Sequence, residues 1–267
     1  MLALGAALGG LVAGEWGIQP AFVIDSLTFL LSAYFILKVK YEPPTADDVP
    51  VRGGVALFSQ ITEGLRYLNQ HRPVFLIGLQ KAGMALGVSS MFQIIQVQLT
   101  SEVFVMGEGG STSLGVMYAV VGVGTGFGPI VARWFTRDDE KLLRRAIASG
   151  YVIAAGGLLV VSTLSNFWIV LAGTFFRGLG VAVTWVFSTQ LLLTLVPNKV
   201  RGRVFSTEFA LLTLMNAIGA AFGGWLFDNT ATTIPQMLWG MAVVTLLMGI
   251  VWVVGGGLRG ERGEVDR

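Results

Sequence analysis

Residues 167–196 read FWIVLAGTFFRGLGVAVTWVFSTQLLLTLV, an unbroken apolar run whose only charge is Arg177. A helix rises 1.5 Å per residue, so about 20 apolar residues cross the ~30 Å hydrocarbon layer of a bilayer. This run is long enough to do so, and Pro197 together with the polar stretch Asn198-Lys199-Val200-Arg201-Gly202-Arg203 closes it. Outward from it the pattern repeats. Further apolar segments lie at roughly 1–14, 18–37, 74–99, 113–135, 142–164, 204–227 and 234–258. Of the 267 residues, 54% are hydrophobic and 13% charged, with mean hydropathy +0.71. Soluble chains carry about 25% charged residues. The expected fold class is therefore all-α, a polytopic membrane bundle of about eight transmembrane helices. The segment 1–14 would rise only ~21 Å and has no basic region before it. It reads as a truncated helix, not a signal peptide.

The basic residues orient these spans. All Lys and Arg residues except Lys81 and Arg177 fall in alternate connections: 38–73, 133–145, 197–203 and the tail from Arg259. The intervening connections carry Glu15, Glu102, Glu108 and Asp228 and no Lys or Arg. Cytoplasmic loops hold the basic excess. The distribution predicts an inner or plasma membrane protein, multi-pass, with both termini cytoplasmic. Within 38–73, the part from Glu42-Pro43-Pro44 to Gly53-Gly54 is linker-like. Phe58, Ile61, Leu65 and Leu68 then recur at helical spacing, which predicts an amphipathic helix on the inner membrane face.

Composition also excludes chemistry. The chain has no cysteine, and His71 is its only histidine, so neither disulfides nor a His/Cys metal centre is expected. No Ser/His/Asp set and no phosphate-binding Gly-x-x-x-x-Gly-Lys loop is present. No enzyme activity, cofactor or nucleic-acid partner is expected, and transport driven by ATP within this chain is excluded. The 36 glycines point to helices packed with their backbones close together.

Residues 5–10, Gly-Ala-Ala-Leu-Gly-Gly, nearly repeat as Gly-Ala-Ala-Phe-Gly-Gly at 219–224, and Pro20 and Pro235 follow at similar distances. Such weak repetition suits a transporter built from two related halves. Gly5-Ala6-Ala7-Leu8-Gly9-Gly10 is similar to the core of the fifth-helix antiporter motif of the major facilitator superfamily, with Ala6 in place of its proline. Ala21-Phe22-Val23-Ile24-Asp25-Ser26-Leu27-Thr28-Phe29-Leu30 resembles a sixth-helix start. The stretch from Val196 to Ser206 resembles the loop between the tenth and eleventh helices. Gly128, Arg133 and Arg137 fit the superfamily's basic cytoplasmic loop, but Ala132 and Phe135 stand where an acidic residue and a glycine are usual.

The chain as a whole resembles the bacterial efflux branch that includes enterobactin exporters and macrolide-efflux-like permeases. The resemblance implies a proton-coupled exporter of small amphipathic molecules or siderophores. It also implies a division into the last helix hairpin of an N-terminal bundle (1–37), a cytoplasmic linker (38–73), a C-terminal six-helix bundle (74–258) and a tail (259–267). On this reading about four helices precede residue 1, and the chain alone should not transport. The missing helices or a second copy would cover its cavity face. The alternative is a non-transporting permease that serves only as a membrane interaction partner.

Candidate residues are those whose polarity is costly in lipid. Arg177, ~15 Å deep, is a substrate or anion contact or a structural tie to carbonyls. Lys81 has a stem long enough to snorkel to the cytoplasmic surface, with cavity lining as the alternative. Gln93 and Gln96, three residues apart, suit a polar pathway with Ser89 on the same face. Asp25 is a structural anion near a helix N-terminus or a proton-coupling group. Glu208 is expected to pair locally with Arg201 or Arg203. Gly219, Gly223 and Gly224, like Gly5, Gly9 and Gly10, are expected at helix contacts. Gly122, Gly124, Gly126 and Gly128, followed by Pro129, are expected to allow packing and bending. Arg133, Arg137, Arg201 and Arg203 form the basic loop motifs.

Overall fold

A computed structural model describes residues 16–39, 64–137 and 139–258, together with Val12 and Thr62. All regular structure among the described residues is helical, and seven helices are long and apolar enough to cross a membrane. They are α1 (Ile18–Leu37), α2 (Arg72–Val103), α3 (Ser111–Thr136), α4 (Glu140–Ser162), α5 (Phe167–Leu195), α6 (Asn198–Asn229) and α7 (Ile234–Gly257). The expected span at 1–14 and the glycines Gly5, Gly9 and Gly10 lie outside the described residues, as do the linker 40–61 and the tail. The protein is a multi-pass, all-α membrane bundle.

Local signals set the helix ends. The Asp139 carboxylate accepts from the N–H groups of Lys141 and Leu142 at 2.8 and 3.1 Å and starts α4. The Asn166 side chain accepts from Ile169 and starts α5. Thr233 and Gln236 form a reciprocal capping box ahead of α7, with Pro235 in its first turn. At the other end of α5, Arg201 donates to the carbonyls of Leu193 (2.7 Å) and Val196, which the helix itself leaves unpaired.

Helices α2 to α7 form one body. Helix α5 packs between α3 and α4, α7 backs both α4 and α2, and α6 lies along α2. Glycine makes the tightest of these seams possible. Gly157 and Gly173 face each other across α4 and α5, as do Gly150 and Gly180 one heptad away. A Cβ on Gly157 would stand 2.6 Å from the Gly173 carbonyl oxygen, and one on Gly180 2.5 Å from the Ala154 nitrogen. Gly124 and Gly128 bring α3 onto the Phe175 and Leu179 carbonyls of α5, whereas Gly126 faces open space. Gly219 meets the Leu86 carbonyl and Ser90 of α2, Gly223 meets Met91 and Ile94, and Gly224 touches nothing.

The apolar core divides into two clusters. One gathers Leu68, Leu143, Leu191, Val196, Val204 and Trp252. The other gathers Leu99, Val170 and Leu238, with Phe104, Phe167 and Ile234 against it. The first cluster sits at the end bearing Arg72, Lys141 and Arg203, hereafter the basic end. The second sits at the end bearing Glu102, Glu108 and Asp228, hereafter the acidic end. Consecutive helices therefore alternate in direction, and α2 and α5 are antiparallel. The helical segment over 64–70 does more than lie on a surface. Leu68 is buried in the core cluster at the basic end, and Gly64 presses on Thr207 and the Arg203 carbonyl of α6.

Helix α1 stands apart. None of the residues described over 19–37 is buried, and Phe22, Phe29, Leu30 and Ile36 are all exposed. Exposed tryptophans lie near the ends of several spans: Trp16, Trp134, Trp168 and Trp225. Interfacial tryptophan belts of this kind accompany lipid-facing helices.

Candidate functional site

Among the described residues, three cations are buried in the bundle: Lys81, Arg144 and Arg177. Their surroundings differ, and the difference separates scaffold from site.

Arg144 belongs to the scaffold. Its guanidinium pairs with Glu140 one turn earlier at 2.7 Å and donates to the Gly257 carbonyl at 3.1 Å. Trp252 returns a bond to the Arg144 carbonyl at 3.1 Å. Together these fasten the start of α4 to the end of α7.

Lys81 links three helices. Its ammonium stands 2.6 Å from Glu208 Oε1 of α6, donates to Thr189 Oγ1 of α5 at 2.7 Å, and lies 4.8 Å from the centre of the Trp185 ring. Its exposure is 3%, so it does not snorkel as the sequence suggested. The physical reason is the partner. Lys81 and Glu208 each lie about 14–15 Å from the basic end of their helices, and opposite charges at one depth in lipid lower each other's cost. The local pairing expected of Glu208 with Arg201 or Arg203 is likewise replaced. Arg201 caps α5, while Glu208 points into the bundle. Next to Lys81 in the chain, Gln80 accepts from the Tyr151 hydroxyl at 2.9 Å, which extends the polar layer into α4.

Arg177 lies nearer the acidic end. Its guanidinium stacks on Phe92 of α2, 3.7 Å from the ring centre. It is 7% exposed, and it makes no hydrogen bond or ion pair among the described residues. Gln96, one turn beyond Phe92, is also buried, and its Nε2 has no partner. Gln93 is exposed whereas Gln96 is buried, and Ser89 is half-buried. Between these two polar levels α2 contains a π turn at Ala85–Ser89, bonded internally by Ser90 Oγ to the Ala85 carbonyl at 2.9 Å. Turns of this kind are frequent at functional sites.

The other expected residues lie elsewhere. Asp25 is exposed on α1. Arg133, Arg137 and Arg203 are exposed at the basic end. Arg137 takes a positive φ of 48° where α3 ends. Sequence reasoning missed the Lys81–Glu208 pairing, although the two lone charges share a depth and could have been matched on that ground. It also missed Thr174, Thr189 and Phe92, ordinary membrane-helix residues with no signal of their own. No family model matches the chain, and no curated protein matches it in sequence.

Proposed function

We propose that the chain forms part of a secondary transporter of the major-facilitator kind, a proton-coupled exporter of small amphipathic molecules. The observation that carries this reading is the Lys81–Glu208 pair, an ion pair buried across α2 and α6 within the membrane spans. Charges kept at such depth are costly and mark ion or substrate routes. Glu208 is paired with Lys81, and coupling would proceed by a proton reaching this carboxylate. When it does, the attraction holding α6 to α2 at that level is lost. The glycine contacts at Gly219 and Gly223, nearer the acidic end of the same interface, remain as a pivot. Proton uptake thus loosens one end of an otherwise sealed helix pair.

The transport test compares proteoliposomes that hold the chain alone with others that also hold any four-span product encoded directly upstream. Both are given an imposed pH gradient and lipophilic dyes. Gradient-dependent dye movement in the second set, collapsed by a protonophore and absent in Glu208→Gln, is the expected result. Movement by the chain alone points to a working homodimer. No movement in either set, from folded protein, would leave the alternative of a membrane interaction partner.

Orientation is tested separately. Because the chain lacks cysteine, single cysteines report without background. Gly107 has φ 74° and its Cβ would strike Thr112, so the exposed neighbour Glu108 is the better site. Glu108→Cys should label with an impermeant thiol reagent from outside intact cells. Lys141→Cys should label only after permeabilisation. The reverse pattern would place the basic end outside.

A further inference from the structure

We propose that Arg177, Gln96 and Thr174 form a binding site for the carboxylate of an anionic amphipathic substrate. The substrate role rests on the transporter reading, but the binding itself does not. Among the described residues, each buried cation except Arg177 has a carboxylate: Lys81 has Glu208 and Arg144 has Glu140. Arg177 has an aromatic ring beneath it and no hydrogen-bond acceptor among the described residues. Two further buried polar groups without hydrogen-bond partners belong to the same level. Gln96 Nε2 is on α2 one turn past Phe92, and Thr174 Oγ1 is on α5 one turn before Arg177. Since α2 and α5 are antiparallel, both turns run toward the acidic end from the Phe92–Arg177 contact. Residues three or four apart share a helix face about 5–6 Å from each other. A guanidinium, an amide N–H and a hydroxyl, each 93% or more buried, thus lie at one level without hydrogen-bond partners among the described residues.

Buried polar groups in native proteins are paired, by protein, water or ligand. Three groups able to donate, one of them a planar cation, match the two oxygens of a carboxylate, which a guanidinium binds in a bidentate fork. Phe92 and the surrounding Val88, Met91 and Ile95 are apolar, so the rest of the ligand would be apolar too. A neutral or cationic amphiphile would leave the buried charge of Arg177 uncompensated.

The test uses the purified full chain in detergent and follows thermal unfolding with 4-phenylbutyrate, its amide and sodium chloride. A ligand that binds the folded state raises the melting temperature in proportion to its affinity. The carboxylate should stabilise and the amide and chloride should not. Arg177→Gln should abolish the shift, and the near-isosteric Thr174→Val and Gln96→Leu should each weaken binding about 10-fold. If Arg177→Gln does not fold, the latter two variants decide. Equal shifts with carboxylate and amide would overturn the proposal. So would a carboxylate affinity unchanged in Thr174→Val and Gln96→Leu. A shift with chloride as large as with the carboxylate would show a small-anion site and overturn the assignment to an amphiphile. Because this is read as binding, failed transport in liposomes would not affect it.

Discussion

Glu208→Ala should destabilise the folded bundle by about 3–5 kcal/mol, whereas Lys81→Met combined with Glu208→Leu should recover most of that loss. The single substitution leaves the Lys81 ammonium buried, with only Thr189 and the Trp185 ring for company. An uncompensated charge in a low-dielectric interior is far more costly than an absent pair, because desolvation remains after the attraction is gone. Removing both charges removes both desolvation terms. The double variant therefore separates two roles of the pair. If the pair serves coupling, the double variant should fold close to wild type and lose gradient-driven transport. If the double variant is as unstable as Glu208→Ala, the pair contributes net stability and the coupling role loses its support. Reversible unfolding in detergent supplies the first readout and the liposome assay the second.

Gly157→Leu should cost about 3 kcal/mol or more, at or beyond the upper end of what overpacking does, while Gly156→Leu beside it should be close to neutral. The contrast comes from what a side chain would meet. At Gly157 it meets the Gly173 carbonyl and the backbone of Arg177, neither of which can rotate away. At Gly156 it meets nothing within 4 Å and faces outward. Without a hydrophobic drive between helices in lipid, close van der Waals approach holds such seams together. Forcing α4 from α5 also displaces Arg177, since its backbone forms one wall of the contact. Gly157→Leu should therefore lose the carboxylate-dependent thermal shift along with stability. Equal melting temperatures for the two variants would show that the seam is not as tight as its geometry requires.

The two predictions rest on different links between sequence and structure, and those links were not equally legible. Span positions could be read from the chain alone, because a bilayer imposes one length and one polarity on any helix that crosses it. The seven described helices fall where the apolar segments lie. Alternation of direction was legible for a similar reason. Short connections between long helices force neighbours to run antiparallel, and the charge of the connections marks which end is which. The glycine excess announced close packing without saying where. Gly124 and Gly126 are two residues apart in one helix, yet one touches the Phe175 carbonyl and the other faces open space. The heptad pairs Gly150/Gly157 and Gly173/Gly180 carry the tightest seam although no sequence run drew attention to them.

The sequence by itself determined that this is an all-helical membrane protein, which segments cross, and which side chains are too polar for their depth. Only the tertiary structure decided what those side chains meet. A lone lysine in an apolar helix can snorkel or pair, and its choice depends on whether a second helix brings a carboxylate to the same depth. For Lys81 the packing of α6 on α2 brings Glu208 to 2.6 Å. For Arg177 the packing of α5 on α2 brings the ring of Phe92 and no acceptor. Periodicity records the face a residue occupies on its own helix. It holds no record of the partner across the interface, because that partner is set by crossing angles and helix order, which arise only when all the helices pack at once.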